Sequence, residues 1–283
     1  MKSVVRRISG RSYVVSKQIA IARMHRGDRP LVVFSMGKTG STAIARAVQD
    51  ATGARAFQVF RLVPDRLAEA EARYRADARP PYHGALHLWE SEYLLRRPPT
   101  PAAPWTLITT VREPVAQAVS AFFHGGGRRG VLDAGSATDE LVHTMLDEQW
   151  LRPPRRWFDR EFAPALGVDV FAQPFDPVLG HAVVETPAVR VLLLRQESFA
   201  VAPEVLGKFL GRGGPVPVAA RNEASTKQYA EQYRRFLAAV RLPGPVLDQA
   251  YSSRYARHFY ADSELERFRQ RWADGPGAAA SSG

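Results

Sequence analysis

The segment that decides the fold is residues 30–53, which read PLVVFSMGKTGSTAIARAVQDATG. Its first part, residues 31–35, is a short apolar run, typical of a strand that is buried on both faces of a parallel sheet. A loop with two glycines follows, and residues 41–51 have helical spacing up to Gly53, a residue that commonly ends helices. The segment therefore predicts a strand–loop–helix unit at the centre of an α/β domain.

Strand and helix patterns alternate through the rest of the chain. Further strands are predicted at residues 55–62, 85–89, 106–112, 168–173 and 189–195. Helices are predicted at residues 65–77, 114–123, 137–150, 203–211, 226–240, 245–257 and 262–272. This alternation predicts an α/β fold with a parallel β-sheet flanked by helices and a helical C-terminal third. Because such sheets bind ligands beyond the carboxyl ends of their strands, the loops that follow strands are where we expect the chemistry.

Composition and charge exclude several classes of protein. The chain has no cysteine, so disulfides, thiolate metal sites and a cysteine nucleophile are excluded. No apolar run approaches the roughly 20 residues that span a bilayer, and the N-terminus lacks a signal-peptide pattern, so we expect a cytoplasmic protein. The formal net charge of +11 indicates an anionic partner. Basic and aromatic residues do not alternate as in single-strand binders, so nucleic acid is not the expected partner.

The positive charge is concentrated at the N-terminus. Residues 1–29 contain eight lysines and arginines against one aspartate. We therefore predict a basic arm or helix at residues 1–29, a single α/β domain at residues 30–272 and a disordered tail at residues 273–283. The arm either packs on the domain as a helix or makes a peripheral contact with an acidic membrane surface.

The loop after the first strand has the composition of a phosphate-binding site. It supplies two glycines, one lysine and three hydroxyl side chains, which are Gly37, Lys38, Thr39, Gly40, Ser41 and Thr42. The helix that follows adds backbone N–H groups and the positive end of its dipole. A Walker A loop needs a glycine five residues before Gly37, where Val32 stands, so an ordinary ATPase or GTPase is disfavoured and a P-loop kinase stays an alternative.

Arg112 is the second candidate for anion binding, because it ends the strand predicted at residues 106–112. Pro114 suits the first turn of a helix, and Ser120 lies about two turns further on. Arg112 is therefore placed to hold an anion bidentately with support from the Ser120 hydroxyl, and pairing with a local carboxylate is the alternative.

Together these motifs resemble the sulfotransferases that use 3′-phosphoadenosine 5′-phosphosulfate. In that family a loop Lys-Ser/Thr-Gly-Ser/Thr-Thr holds the 5′-phosphosulfate, and residues 38–42 have this form. The family's 3′-phosphate site is an arginine at a strand end, a proline two residues on and a serine eight residues on, as in Arg112, Pro114 and Ser120. The resemblance implies a P-loop-containing sulfotransferase-like fold, and sulfuryl transfer to a hydroxyl of a carbohydrate or other small acceptor. It also implies adenosine 3′,5′-bisphosphate as product and no metal.

A narrower resemblance is to a bacterial branch of capsular polysaccharide synthesis proteins that carries an Asn-Lys-Trp-Tyr-Ser motif. Shared features lie at residues 157–161, 167–170, 174–176 and 251–260. The name motif is incomplete, because residues 227–230 read Lys-Gln-Tyr-Ala. Lys227 is a candidate further contact to the donor, with a surface lysine as the alternative. An inactive or divergent nucleotide-binding protein of capsular polysaccharide biosynthesis also remains an alternative function.

The same resemblance assigns the catalytic roles. Lys38 is expected to meet the negative charge that grows on the leaving phosphate oxygen. An acceptor hydroxyl needs a general base, and His87 is the first candidate, with His83 and Glu90 behind it. Relatives place their catalytic histidine at the end of a strand in this interval. A metal held by His83 and His87 is not expected, because no third ligand lies nearby.

Other enzyme classes lack their motifs. The chain has no Asp-x-Asp of metal-dependent glycosyltransferases and no Gly-x-Ser-x-Gly of Ser-His-Asp hydrolases. The acidic residues Asp159, Glu161 and Asp169 are expected to fix local structure rather than to act in catalysis.

Overall fold

The computed structural model describes residues 18–25, 30–76, 86–129, 136–219 and 229–274. Its strands are β1 (Leu31–Phe34), β2 (Phe57–Val59), β3 (Trp105–Val111), β4 (His181–Glu185) and β5 (Val189–Arg195). They form one sheet in the order β2-β1-β3-β5-β4, in which β4 alone runs antiparallel to its neighbour. The predicted α/β class with a mostly parallel sheet is confirmed.

Helices flank the sheet. They are α1 (residues 18–24), α2 (Ser41–Thr52), α3 (Pro64–Ala76), α4 (Leu86–Leu95), α5 (Pro114–Arg129), α6 (Thr138–Asp147), α7 (Arg152–Trp157), α8 (Ala163–Leu166), α9 (Ala202–Phe209), α10 (Ala230–Ala239), α11 (Gly244–Tyr251), α12 (Arg254–Phe259) and α13 (Asp262–Asp274). A π-helical turn, Phe158–Phe162, joins α7 to α8. The last four of these helices confirm the predicted helical C-terminal part.

The two faces of the sheet have separate cores. In β1, Val32 and Phe34 point into a large core that includes α5, α7 and the C-terminal helices, whereas Val33 packs with α2 and α9 on the other face. Leu107 and Ile108 of β3 divide in the same way. Each such side chain contributes roughly 1.5–3 kcal/mol on full burial, which fixes the register of the central strands and holds their carboxyl ends at one edge.

Two predicted strands are wrong. Residues 85–89 were expected to form a strand, yet residues 86–95 form α4, whose buried side chains Leu88, Ser91 and Leu94 recur every three residues. Five residues are too few to distinguish the period of a strand from that of a helix.

The second wrong strand is residues 168–173. Val168 and Val170 are buried, as in a strand, but the Asp169 side chain accepts a hydrogen bond from the Phe171 N–H at 2.9 Å and starts a short 3₁₀ turn. Such aspartate caps compete with strand pairing. Strand β4 was not predicted, because it is an edge strand in which only Val184 is buried.

The described part of the N-terminal arm packs on the domain. Ile21 of α1 belongs to the large core, and the His25 ring stacks on Phe57 at 3.6 Å. This supports the interpretation of the arm as a packed helix for these residues; a membrane contact of residues 1–29 stays a prediction. None of the helices in the described ranges is long and apolar enough to cross a bilayer.

Candidate functional site

The predicted phosphate loop leaves the carboxyl end of β1 and is joined to β3 by buried hydroxyl groups. Ser35 Oγ accepts a hydrogen bond from the Thr110 N–H at 2.9 Å. Thr39 Oγ1 lies 2.7 Å from Thr110 Oγ1 and donates to the Met36 carbonyl at 2.9 Å. The Thr39 hydroxyl is therefore committed to holding the loop, which leaves the backbone N–H of Thr39 as its group for an anion.

The loop backbone is strained and held in place. Lys38 has φ = 70°, in the left-handed region, which costs a non-glycine residue roughly 1–2 kcal/mol. Two side chains hold the adjacent carbonyl groups: Gln117 Nε2 donates to the Gly37 carbonyl at 2.8 Å, and Arg112 Nη1 donates to the Lys38 carbonyl at 3.2 Å. Strain kept by such contacts is typical of binding sites.

The N-terminus of α2 offers donors to an anion. Gly40 precedes it with φ = 85°, and no side chain caps the helix. The N–H groups of Ser41 and Thr42 therefore have no acceptor within the helix. Gln58 Nε2 donates to Ser41 Oγ at 3.3 Å and to Thr42 Oγ1 at 2.9 Å. Since both hydroxyl oxygens accept from Gln58, their own hydrogens are left to donate, a role for Gln58 that the sequence analysis missed.

Gly40 also meets a packing requirement. A Cβ atom at this position would lie 2.6 Å from Cε2 of Phe199, which follows β5. A glycine is therefore needed both for the left-handed backbone and for the close approach of the ring.

The Arg112 corner is fixed by α12. The hydroxyl group of Tyr255 accepts from the Arg112 N–H at 3.1 Å and donates to the Arg112 carbonyl at 2.7 Å. Because the Arg112 guanidinium also reaches the Lys38 carbonyl, the structure brings the two predicted anion sites together. Ser120 lies on α5 and is partly buried, and among the described residues it makes no hydrogen bond to Arg112. Its role toward a 3′-phosphate stays a prediction.

The candidate general bases that the structure describes lie on α4, outside the phosphate loop. His87 lies on α4, not at a strand end, and its ring packs edge-on against Phe60 with 5.2 Å between ring centres. Phe60 directly follows β2, so His87 lies near the same sheet edge as the loop. His83 and the candidate donor contact Lys227 lie outside the described residues.

Glu90 is engaged in structural contacts. It is almost completely buried, and its Oε1 lies 3.0 Å from His25 Nε2. Its Oε2 accepts a hydrogen bond from the Gln58 N–H at 2.8 Å. The carboxylate therefore ties α1 and β2 together, and these contacts account for its burial without a catalytic role.

A cleft of about 1000 Å³ opens beside the loop, where Gly37 and Gln117 form part of its wall. Its charged lining consists of six arginines and three glutamates, which are Arg61, Arg66, Arg73, Arg152, Arg156, Arg160, Glu69, Glu148 and Glu161. His124 also lines it. Its volume suits a small-molecule ligand. The predicted phosphate loop and the feature at residues 157–161 each supply part of the wall, but no single motif marked the cleft, because the rest comes from segments that are distant in sequence.

Two buried oxygens of the cleft wall have no partner. Gln117 is 3% exposed, and its Oε1 makes no hydrogen bond with a described residue. The same holds for Oε2 of Glu161, whose side chain is 3% exposed. Glu161 Oε1 lies 3.3 Å from Arg61 Nε and 3.5 Å from Arg66 Nε. Burial raises the pKa of the Glu161 carboxyl, against the opposing effect of these two arginines.

Metal chemistry has no cluster of side chains to support it in the described ranges, because no three His, Asp or Glu side chains are grouped there as metal ligands.

Residues 133–261 match the family model described as "Putative capsular polysaccharide synthesis protein". This segment is similar to the capsular polysaccharide synthesis proteins. It supplies Arg152, Arg156 and Glu161 to the cleft and Tyr255 to the Arg112 corner, whereas the phosphate loop precedes it. No curated protein and no solved structure matches the chain significantly.

Proposed function

We propose that the chain is a sulfotransferase that moves a sulfuryl group from 3′-phosphoadenosine 5′-phosphosulfate to a hydroxyl of a saccharide in capsular polysaccharide synthesis. The observation that carries this proposal is the hydrogen bond from Arg112 Nη1 to the Lys38 carbonyl, which places the arginine beside the phosphate loop. Two adjacent anion sites suit a nucleotide that carries phosphate at both its 5′ and 3′ positions. The family match supports the polysaccharide setting.

The residues present fit such a donor. A Cβ atom at Gly37 would have no neighbour within 4 Å, so the backbone there is open to a ligand. The N–H and hydroxyl groups of Ser41 and Thr42 would hold the 5′-phosphate, and Arg112 would hold the 3′-phosphate. When bound, the donor would supply an activated sulfuryl group and a good leaving group.

The protein's part in the reaction is to position and to stabilise charge. Lys38 would neutralise the charge on the departing 5′-phosphate oxygen. Gln117 and Arg112 keep the loop in one conformation before the ligand arrives, so little reorganisation is needed. A general base takes the acceptor's hydroxyl proton as the acceptor oxygen bonds to sulfur and the sulfur–oxygen bond to the 5′-phosphate breaks.

The first prediction concerns Arg112. We expect Arg112→Ala to weaken the binding of adenosine 3′,5′-bisphosphate by about 30-fold, because charge-assisted hydrogen bonds to the 3′-phosphate are lost. Binding of adenosine 5′-monophosphate should weaken much less, since this nucleotide lacks the 3′-phosphate and loses only the support that Arg112 gives to the loop. Isothermal titration calorimetry with both nucleotides measures the two effects. Arg112→Lys, which keeps the charge, should lose less. Equal losses for the two nucleotides would contradict the assignment.

The second prediction concerns the base. We propose His87 for this role and expect His87→Ala to abolish transfer while nucleotide binding is unchanged. Product nucleotide release, measured with a cell saccharide fraction as acceptor, reports turnover. His143→Ala is the matched control, because His143 is an exposed histidine on α6. Full turnover of the His87 variant would exclude it and move the role to His83, with His124, which lines the cleft, as the next histidine to test.

A further inference from the structure

We infer that the arginine-lined cleft binds an acidic saccharide, a sugar that carries carboxylate or phosphate groups, as the acceptor of the reaction. The acceptor role rests on the proposed function, because the cleft lies beside the loop that is proposed to bind the donor. Its ligand class follows from the charges and the unpaired oxygens of the wall.

The cleft lies directly beside the phosphate loop. Met36 and Gly37 of the loop form one end of the wall, and Gln117, which holds the Gly37 carbonyl, forms part of the same end. A molecule in the cleft therefore touches the loop that is proposed to hold the reacting end of the donor. Most of the remaining wall comes from α3 and from α7 with the π-helical turn that follows it.

The part of the wall formed by α7 and the π-helical turn is strongly positive. Arg152, Arg156 and Arg160 line the cleft four residues apart, and none of them forms an ion pair with a residue in the described ranges. Like charges at this spacing repel one another along a helix. The charges of Arg156 and Arg152 also lower the pKa of Arg155, after the larger effect of burial. An anionic ligand between these side chains would remove the repulsion.

Of the three glutamates of the wall, Glu148 accepts a hydrogen bond from Trp150 Nε1 at 2.6 Å, and the other two are paired with arginines outside α7. Glu161 is paired with Arg61 and Arg66, and Glu69 lies 3.0 Å from Arg66 Nη1 and 3.5 Å from Arg73 Nη2. These pairs occupy the α3 side of the cleft. The positive excess therefore lies on the side of α7, which gives the ligand's acidic groups a defined place.

Two buried oxygen atoms of lining residues have no hydrogen-bond donor among the described residues. Gln117 Oε1 and Glu161 Oε2 are buried acceptors that no described residue satisfies. A buried polar atom without a partner is unfavourable, and both residues line the cleft, so the two oxygens favour a ligand that donates hydrogen bonds. Sugar hydroxyls are such donors. The arginines require negative groups on the ligand, and the two oxygens require hydroxyl donors. An acidic saccharide has both, whereas a neutral sugar lacks the charge and a simple anion lacks the hydroxyls.

The test uses trigalacturonate, which carries a carboxylate on each sugar, and its methyl ester, which has the same ring without the charge. Glucose 6-phosphate and glucose form a second pair, in which phosphate replaces carboxylate. We expect calorimetry with the full chain to detect at least one acidic sugar, and its neutral counterpart to bind about tenfold more weakly or not at all. Raising the salt concentration should weaken the binding of the acidic sugar.

The variant R156Q/R160Q locates the site. It should weaken binding of the acidic sugar about tenfold, because two solvent-exposed charge pairs with the ligand's acidic groups are lost. The control R234Q/R257Q removes the same charge from exposed arginines outside the cleft and should leave binding unchanged. Binding of neither acidic sugar, equal binding of the neutral sugars, or equal losses in the two variants would overturn the inference.

A parallel titration separates this inference from the proposed function. Adenosine 3′,5′-bisphosphate should bind R156Q/R160Q as it binds the unsubstituted chain, because the two arginines belong to α7 and the π-helical turn and not to the loop or the Arg112 corner. If the nucleotide does not bind at all while the acidic sugar binds through the two arginines, the proposed function fails and the ligand class of the cleft stands. If the nucleotide binds and no acidic sugar does, the present inference fails alone.

Discussion

Replacing Glu113 with alanine is expected to lower the free energy of unfolding by about 4 kcal/mol, because four hydrogen-bond donors lose their acceptor. Glu113 is 3% exposed and follows Arg112 at the end of β3. Its Oε1 accepts from the Val115 N–H at 2.7 Å and from the Tyr251 hydroxyl at 2.8 Å. Its Oε2 accepts from the Ala116 N–H at 2.7 Å and from Trp272 Nε1 at 3.2 Å. One carboxylate thus caps α5 and ties α11 and α13 to it.

Urea unfolding of the variant measures the loss. Glu266→Ala is the control, because Glu266 is exposed on α13 and its removal should change stability by less than about 0.5 kcal/mol. A loss from Glu113→Ala that is no larger than in the control would show that this network does not support the fold.

The same residue predicts a pH dependence. Burial raises the pKa of the Glu113 carboxyl above its ordinary value of 4.5, with its hydrogen bonds opposing the shift. The folded chain therefore holds this proton more tightly than the unfolded chain. Its contribution to stability is largest below the unfolded pKa and falls as the pH rises through the raised folded value. Glu113→Gln has no proton to lose here, so it should lack this part of the pH dependence.

Replacing Lys38 with alanine is expected to reduce turnover by about 100- to 1000-fold, the range found when one group that stabilises transition-state charge is removed. We expect this loss because Lys38 lies in the loop that is proposed to hold the leaving phosphate. Arg112 holds the Lys38 carbonyl, and the Lys38 backbone is in the left-handed region. Adenosine 3′,5′-bisphosphate should still bind, because in the proposed site backbone N–H groups and Arg112 would hold most of its phosphates. Release of this nucleotide from the donor, with an acceptor saccharide fraction present, measures turnover.

Lys208→Ala is the control for Lys38. It removes the same charge from an exposed position in the last turn of α9. It should leave turnover unchanged. If Lys38→Ala retained turnover within about threefold of the control, Lys38 would have no role in stabilising the leaving group.

The phosphate loop shows how much of the site the sequence predicts. The apolar run of β1, the loop and the helix up to Gly53 form a local pattern, and the structure has β1 and α2 where this pattern placed them. The pattern also predicted Arg112 at the end of β3, because a long apolar strand before Pro114 is a strong signal. What it did not predict is that the Thr39 hydroxyl serves the contact to β3 rather than the ligand.

The remaining parts of the site depend on residues that are distant in sequence. Gln117 meets Gly37 across 80 residues, and Tyr255 meets Arg112 across 143. Tertiary packing creates these pairs, so no local pattern predicts them. The same cause explains α4, in which contacts with α3 and β2 select a helix for a segment whose alternation favoured a strand. The wall of the basic cleft likewise combines α3, α5 and α7, which are distant in sequence, so no local pattern predicts it.

The proposed function requires that this chain bind a nucleotide with phosphates at both the 5′ and 3′ positions. Calorimetric titration of the full unsubstituted chain tests this binding most directly. The ligands are adenosine 3′,5′-bisphosphate, adenosine 5′-monophosphate and ATP with magnesium. We predict that the bisphosphate binds at least about tenfold more tightly than either of the others, because in the proposed site Arg112 would recognise its 3′-phosphate. Equal binding of the bisphosphate and the monophosphate, tighter binding of ATP, or no binding of the bisphosphate would contradict the claim.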